Sequence, residues 1–180
     1  DRQVTIRSLR KHLAEQQKRV TQIHQEASAD LLETLPGFSH FQDRLAMEYK
    51  RASTTRQPLS VIIVELKAAQ FLAETTEAPV AFGDAARALT RKLRGEDSIY
   101  HFARGVFGIV LPGVNVDSTD RVAGRVKEGL YDASGARARF SFAVRAINYP
   151  AHAVSAREIE DFVRAYVPKN DIETAQPRVS

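Results

Sequence analysis

The chain has 180 residues, 43% of them apolar and 27% charged, which suits one packed domain with an extension and argues against global disorder. It contains no cysteine, which excludes a disulfide framework, a thiolate zinc site and a cysteine nucleophile. The net charge of +4, from 26 basic and 22 acidic residues, favours anionic partners only mildly.

Over residues 1–29, Ile6, Leu9, Leu13, Val20, Ile23 and Ala27 recur at alternating steps of three and four, with Gln16 in the remaining slot. Polar and charged residues fill most of the intervals, and no Gly or Pro interrupts before Pro36. That is a heptad seam of about three repeats. β-Branched Ile6 and Val20 at the first seam position, with Leu9 and Ile23 at the second, favour a two-stranded parallel coil and hence a homodimer. A helix lying on its own domain is the alternative. A chain opening on Asp1 reads as an excerpt of a longer protein. No apolar run approaches the roughly 20 residues needed to span a bilayer, so this segment is expected to be cytoplasmic.

From Asp30 the pattern turns globular. Pro36-Gly37 signals a turn, and Phe41, Leu45 and Tyr49 give helical spacing from Phe38 to Ala52. Val61-Ile62-Ile63-Val64 reads as a buried strand ending at Glu65. Residues from Ala68 to Leu93 read as largely helical, with an interruption near Pro79 or Gly83-Asp84. Ser98 to Phe102 and Phe107 to Leu111 form a hairpin. Asp117 to Leu130 is a helix, Phe140 to Tyr149 a strand closed by Pro150, and Ser155 with Glu158 a capping box opening a helix to Tyr166. The tail, 169–180, reads as loose. The order is the split β-α-β-β-α-β layout, an α+β, ferredoxin-like fold with helices packed on an antiparallel-mixed sheet. The domain spans 30–168.

Several segments resemble GGDEF domains. Asp30-Leu31-Leu32-Glu33-Thr34-Leu35-Pro36-Gly37-Phe38-Ser39-His40-Phe41 is similar to that family's opening motif, D-x-L-T-G-L-x-N-R-R-x-F. Pro58-Leu59-Ser60, Phe107-Gly108-Ile109-Val110-Leu111-Pro112 and Asn148-Tyr149-Pro150 match three further stretches. The likeness covers residues 30 to 167. It implies a nucleotide-cyclase-like fold behind a stalk helix. Active members are diguanylate cyclases, which condense two GTP into cyclic di-GMP across a dimer.

The departures fall on the chemistry. The signature G-G-D/E-E-F aligns with Ala103-Arg104-Gly105-Val106-Phe107, so its acidic positions are Gly105 and Val106. GTP condensation needs Mg²⁺, which takes several hard oxygen ligands. Only Glu65 stands where the family holds a metal-binding Asp, as a vestige. Arg104 replaces a Gly that lets nucleotide approach; it reads as an exposed hairpin residue or as a plug in the pocket. Arg145, where the family has Gly, points the same way. The guanine-reading motif N-D-x-x-G-H-x-x-G-D corresponds to Gln70 through Pro79 and is missing, with Gly83-Asp84 a possible displaced remnant. No catalytic residue, cofactor or metal is expected.

A second site of the family is retained in pattern. Its inhibitory site, R-x-x-D five residues before the signature, matches Arg94-Gly95-Glu96-Asp97, and Arg121 and Arg125 stand where completing arginines are expected. Guanidinium forks suit phosphodiester oxygens or the O6/N7 edge of guanine, and a carboxylate such as Asp97 suits guanine N1–H and N2–H. As plain structure, Arg94 and Asp97 would be a surface ion pair and Arg121 with Arg125 a solvated helix face. His12, His24, His40, His101 and His152 show no metal-ligand spacing and read as surface residues.

The expectation is a catalytically inactive GGDEF-type domain that receives cyclic di-GMP through Arg94, Asp97, Arg121 and Arg125 and couples it to dimer arrangement. The alternatives are a ligand-free dimerisation or protein-contact scaffold and a residual cyclase. The basic residues are scattered without aromatic interleaving, against nucleic acid as a partner.

Overall fold

The sheet is built on the most apolar stretch of the chain. In the computed structural model, which describes residues 2–169, Leu59–Ala68 forms β1 at the sheet's interior. It pairs antiparallel with β3 (Val106–Pro112) on one side and β4 (Phe140–Tyr149) on the other, and β2 (Ser98–Ala103) pairs antiparallel with β3. The strand order is β2-β3-β1-β4, the order of the split β-α-β-β-α-β layout. Every pairing is antiparallel, so the expected mixed component is not found among the described residues.

The middle of β1, Val61 to Val64, is an unbroken apolar run because both faces of the sheet are covered. Side chains alternate with the pleat. Val61 and Ile63 enter one core, with α2 (Phe38–Thr55) and α5 (Ala156–Arg164); Ile62, Val64 and Leu66 enter another, with α3 (Glu77–Arg91) and α4 (Val116–Ser134). The first core holds an aromatic cluster in which Phe41 lies 5.7 Å from Phe38, 5.6 Å from Tyr100 and 5.0 Å from Phe102, ring centre to ring centre. Gly108 on β3 makes room for it: a Cβ there would stand 2.3 Å from the Phe102 ring.

The expected helix from Ala68 is corrected. β1 continues through Leu66, Lys67 and Ala68, which pair with Phe142, Ser141 and Phe140. Turns follow, and α3 begins only at Glu77. Leu, Lys and Ala favour helix intrinsically, but an open partner strand overrides that preference. Pro79 does not interrupt α3, because it lies in the first turn, where the backbone N–H has no intrahelical acceptor. Gly83 does not interrupt it either.

α1 (Arg2–Thr34) is one continuous helix of roughly 50 Å. It runs through the boundary expected at residue 30. Ile6, Leu9, Leu13, Val20 and Ile23 are 49–67% exposed, so the seam has no partner among the described residues. The end of α1 behaves differently: Ser28 is buried, and Leu31 and Leu32 join the core of α3 and α4. The helix therefore lies on its own domain only over its last turns. The expected loose tail lies, beyond Lys169, outside the described residues.

α5 ends at Arg164 rather than Tyr166. Ser155 Oγ accepts from Glu158 N at 3.1 Å, while the Glu158 carboxylate reaches back to Val154 N at 3.0 Å. Ser155→Ala is expected to cost about 1 kcal/mol. The melting temperature should then fall by about 2–4 °C; no change on thermal denaturation would show that the cap contributes nothing.

Candidate functional site

Two places on the fold collect the residues singled out in the sequence. At the first, the β2–β3 hairpin meets the end of β1. Gly105 turns the hairpin with φ +77°, and its carbonyl accepts from Leu66 N at 2.6 Å. A Cβ on Gly105 would stand 2.5 Å from the Leu66 carbonyl oxygen, so the position requires glycine on both counts. Glu65 lies opposite Val106, within hydrogen-bonding distance of Arg145 on β4, and the two form an ion pair. The Arg145 guanidinium also stacks 4.8 Å over the Tyr166 ring. Arg104 is exposed and donates to the Ala73 carbonyl at 3.2 Å, bridging the hairpin to the loop after β1.

These residues do not fit a Mg²⁺ ion. The one carboxylate at the end of β1 already carries a guanidinium, and the hairpin tip brings a second cation. Among the described residues, no group of three or more His, Asp or Glu is placed to hold a metal.

At the second place, the turn between α3 and β2 folds Arg94 and Asp97 onto each other. Asp97 accepts from the Arg94 backbone N at 2.8 Å, from Nη2 at 2.9 Å and from Nε at 3.3 Å. Nη2 also donates to the Pro112 carbonyl at 2.9 Å, and Nη1 lies 3.1 Å from Glu96. The Asp97 side chain is 4% exposed and that of Arg94 46%. The hydrogen bond to Asp97 pushes the Arg94 guanidinium above its ordinary pKa, against the partial burial that lowers it; the charges of Asp97 and Glu96 reinforce the rise. From α2, Arg44 braces the turn by donating to the Glu96 carbonyl at 3.3 Å.

Arg121 and Arg125 are exposed on α4. No hydrogen bond or ion pair joins either to Arg94 or Asp97 among the described residues. Their placement follows from helix geometry: Arg121, Arg125 and Gly129 fall on one stripe at steps of four. Gly129 faces Ala88 and Lys92 of the α3 end, whose chain continues to Arg94. Gly129 is buried, whereas Arg121 and Arg125 are exposed nearer the N-terminal end of α4. Arg94 is pinned to Pro112, just ahead of the first turn of α4.

Gly83-Asp84 is not a remnant of a guanine site. A Cβ on Gly83 would stand 2.1 Å from the Ser28 carbonyl oxygen, so glycine allows α1 to cross α3 in close contact. Asp84 then accepts from Ser28 Oγ at 2.7 Å and pairs with His24 Nε2 at 3.0 Å and Arg139 Nη2 at 3.0 Å. It ties the stalk and the entrance to β4 to one carboxylate. His12, His24, His40 and His152 are exposed as expected, and His101 is half-buried. His24 holds Asp84, the His101 ring stacks 4.9 Å from Phe107, and His152 Nδ1 accepts from Asn148 N at 3.1 Å. No linear pattern signals the His24–Asp84 pair, whose partners come from distant segments; the other two contacts are local.

No protein-family model matches the sequence, and no curated protein aligns with it significantly. Solved structures share its fold. A DGC protein from Thermotoga maritima superposes with a TM-score of 0.63 at 17% identity, covering 76% of this chain and 98% of that one. The GGDEF domain of TpbB (YfiN) from Pseudomonas aeruginosa gives 0.59 at 18% identity, covering 81% and 98%. The coiled coil and GGDEF domain of DgcB from Caulobacter crescentus, in complex with c-di-GMP, gives 0.60 at 12% identity, covering 91% and 90%. The chain has the GGDEF-domain fold.

Proposed function

We infer that this GGDEF-type fold no longer condenses GTP and instead serves cyclic di-GMP signalling as a receptor, through the Arg94–Asp97 turn and the arginine stripe of α4. The observation that carries the reading is the state of Arg94. Its guanidinium is held by Asp97 and Pro112 yet remains half exposed, so a planar fork is pre-oriented for an anionic or guanine ligand. Asp97 is nearly buried and has both oxygens on Arg94, which makes it a positioning group first. Arg121 and Arg125 add positive charge for the two phosphodiesters.

The opposite end of the hairpin supports the loss of synthesis. Mg²⁺-assisted attack of a 3′-hydroxyl needs clustered carboxylates. Glu65 is paired with Arg145, and Gly105 and Val106 offer none. Incubation with GTP and Mg²⁺ or Mn²⁺ should give no cyclic di-GMP on chromatography; its formation would select the residual-cyclase reading.

Calorimetry tests the receptor directly. Cyclic di-GMP should bind at about micromolar affinity or tighter, worth about −8 kcal/mol. Arg94→Ala should weaken it at least tenfold, and Glu65→Ala should leave it unchanged. A flat trace at high ligand would overturn the reading. The exposed seam of α1 supports a second reading, a homodimeric scaffold in which two stalks pair and the nucleotide plays no part. A dimer by sedimentation together with that flat trace would select it. With binding present, the ligand biases how paired domains are arranged.

A further inference from the structure

Where α1 crosses the domain, a groove of about 440 Å³ opens between α1, α3 and α4. It belongs to neither place described above, and it lies at the other end of α3 from Glu65 and Arg104. Its volume falls in the range of small-molecule sites. Its floor is made of small residues: Gly129, Ala88 and Ala133. Its walls carry Arg87, Arg91, Lys92 and Arg139, against Asp84 and Asp132.

The pairing of those charges decides what fits. Arg139 is neutralised by Asp84 at 3.0 Å. Arg87, Arg91 and Lys92 make no ion pair with a carboxylate among the described residues. The Arg87 guanidinium lies 3.4 Å from His24 Nδ1 and 3.5 Å from Ser28 Oγ. With Asp132 as the remaining carboxylate, three free cations face one acid, an excess of about two charges that matches the dianion of a phosphate monoester. Gly129 is part of the arrangement: the stem of Lys92 crosses it, its Cε 3.4 Å from where a Cβ would be, which holds the ammonium over the floor.

We propose that this groove binds the phosphate group of a small phosphorylated molecule, held by Arg87, Arg91 and Lys92 where the stalk meets the domain. Two guanidinium forks and an ammonium supply charge-assisted hydrogen bonds to the three terminal oxygens. His24 stands beside Arg87, so an occupant touches the stalk as well as the domain. Such a ligand would tighten the junction at which Asp84 already joins α1 to α3. The site shares no residue with Arg94, Asp97, Arg121 and Arg125, and it does not depend on cyclic di-GMP binding.

The test is calorimetric titration of the 180-residue chain with inorganic phosphate in low-salt buffer. Saturable heat in the low-millimolar range or tighter is expected. The double variant Arg91→Ala/Lys92→Ala, on exposed positions that leave the core intact, should weaken it at least fivefold. A charge-matched variant on the free part of the stalk, Arg10→Ala/Lys11→Ala, should change it by less than twofold. Absence of saturable heat overturns the proposal, as does equal weakening by both variants, which would reveal an ion atmosphere only. Since cyclic di-GMP is absent from this titration, its outcome stands apart from that of the receptor.

Discussion

Gly83→Val will lever the stalk off the domain. The Cβ alone would stand 2.1 Å from the Ser28 carbonyl oxygen and 2.5 Å from its carbon. Both are backbone atoms, so rotamer changes cannot relieve the clash. The two helices must separate, which strains the packing of Leu31 and Leu32 and stretches the contacts of Asp84 with Ser28 and His24. Overpacking costs typically 1–3 kcal/mol, and the weakened polar contacts bring the expectation to about 3 kcal/mol. The melting temperature should fall by roughly 6–12 °C. Gly124→Ala makes the informative control: a Cβ there meets nothing within 4 Å, on an exposed position of α4. It should stabilise by up to about 1 kcal/mol through helix propensity. Opposite signs for two glycine substitutions would separate the contact from composition. A Gly83→Val protein melting within about a degree of the parent would mean that α1 does not dock on α3.

The second large effect is expected at Asn148. Its side chain is 2% exposed and lies in a buried polar network. Nδ2 donates to Ser60 Oγ at 2.7 Å and to the Val114 carbonyl at 3.0 Å, and Oδ1 accepts from Ala151 N at 3.3 Å. Ser60 in turn touches Thr119 Oγ1 at 2.6 Å. The network links β1, β4 and the approach to α4, tying an interior strand to two elements far from it in sequence. Asn148→Leu keeps the branched skeleton of the side chain and removes the donors and the acceptor. Leaving buried groups short of partners costs about 1–3 kcal/mol, so a loss of about 3 kcal/mol is expected. Ser60→Ala should cost less, because the Val114 carbonyl keeps Asn148. Chemical denaturation of the two single variants and the double measures their coupling. Strict additivity would show that the polar groups act independently.

The parts of the fold legible in the sequence are those with punctuation at both ends. Phe140–Tyr149 emerges as a strand with its observed limits, because Ser134-Gly135 precedes it and Pro150 follows. The β2–β3 hairpin is legible for the same reason. The end of β1 is not: Leu66-Lys67-Ala68 suit either state, and the decision belongs to Phe140, Ser141 and Phe142 far along the chain. The candidate sites divide in the same way. Arg94 and Asp97 are three residues apart in a turn, and Arg121 with Arg125 are one helical turn apart, so their proximity is local. The Glu65–Arg145 pair spans 80 residues and the His24–Asp84 pair 60, and nothing in either segment announces the other. The departures from the signature, Arg104 and Arg145 among them, are plain in the sequence, whereas the pairing of Arg145 with Glu65 needs the structure.

A helix without glycine or proline from end to end has no soft point at which a twist can dissipate. In α1 that rigidity reaches from the seam at one end to Ser28, Leu31 and Leu32 at the other. A quarter-turn imposed far out on the stalk therefore arrives as torque on α3, and any molecule that clamps the junction acts as a brake on the shaft.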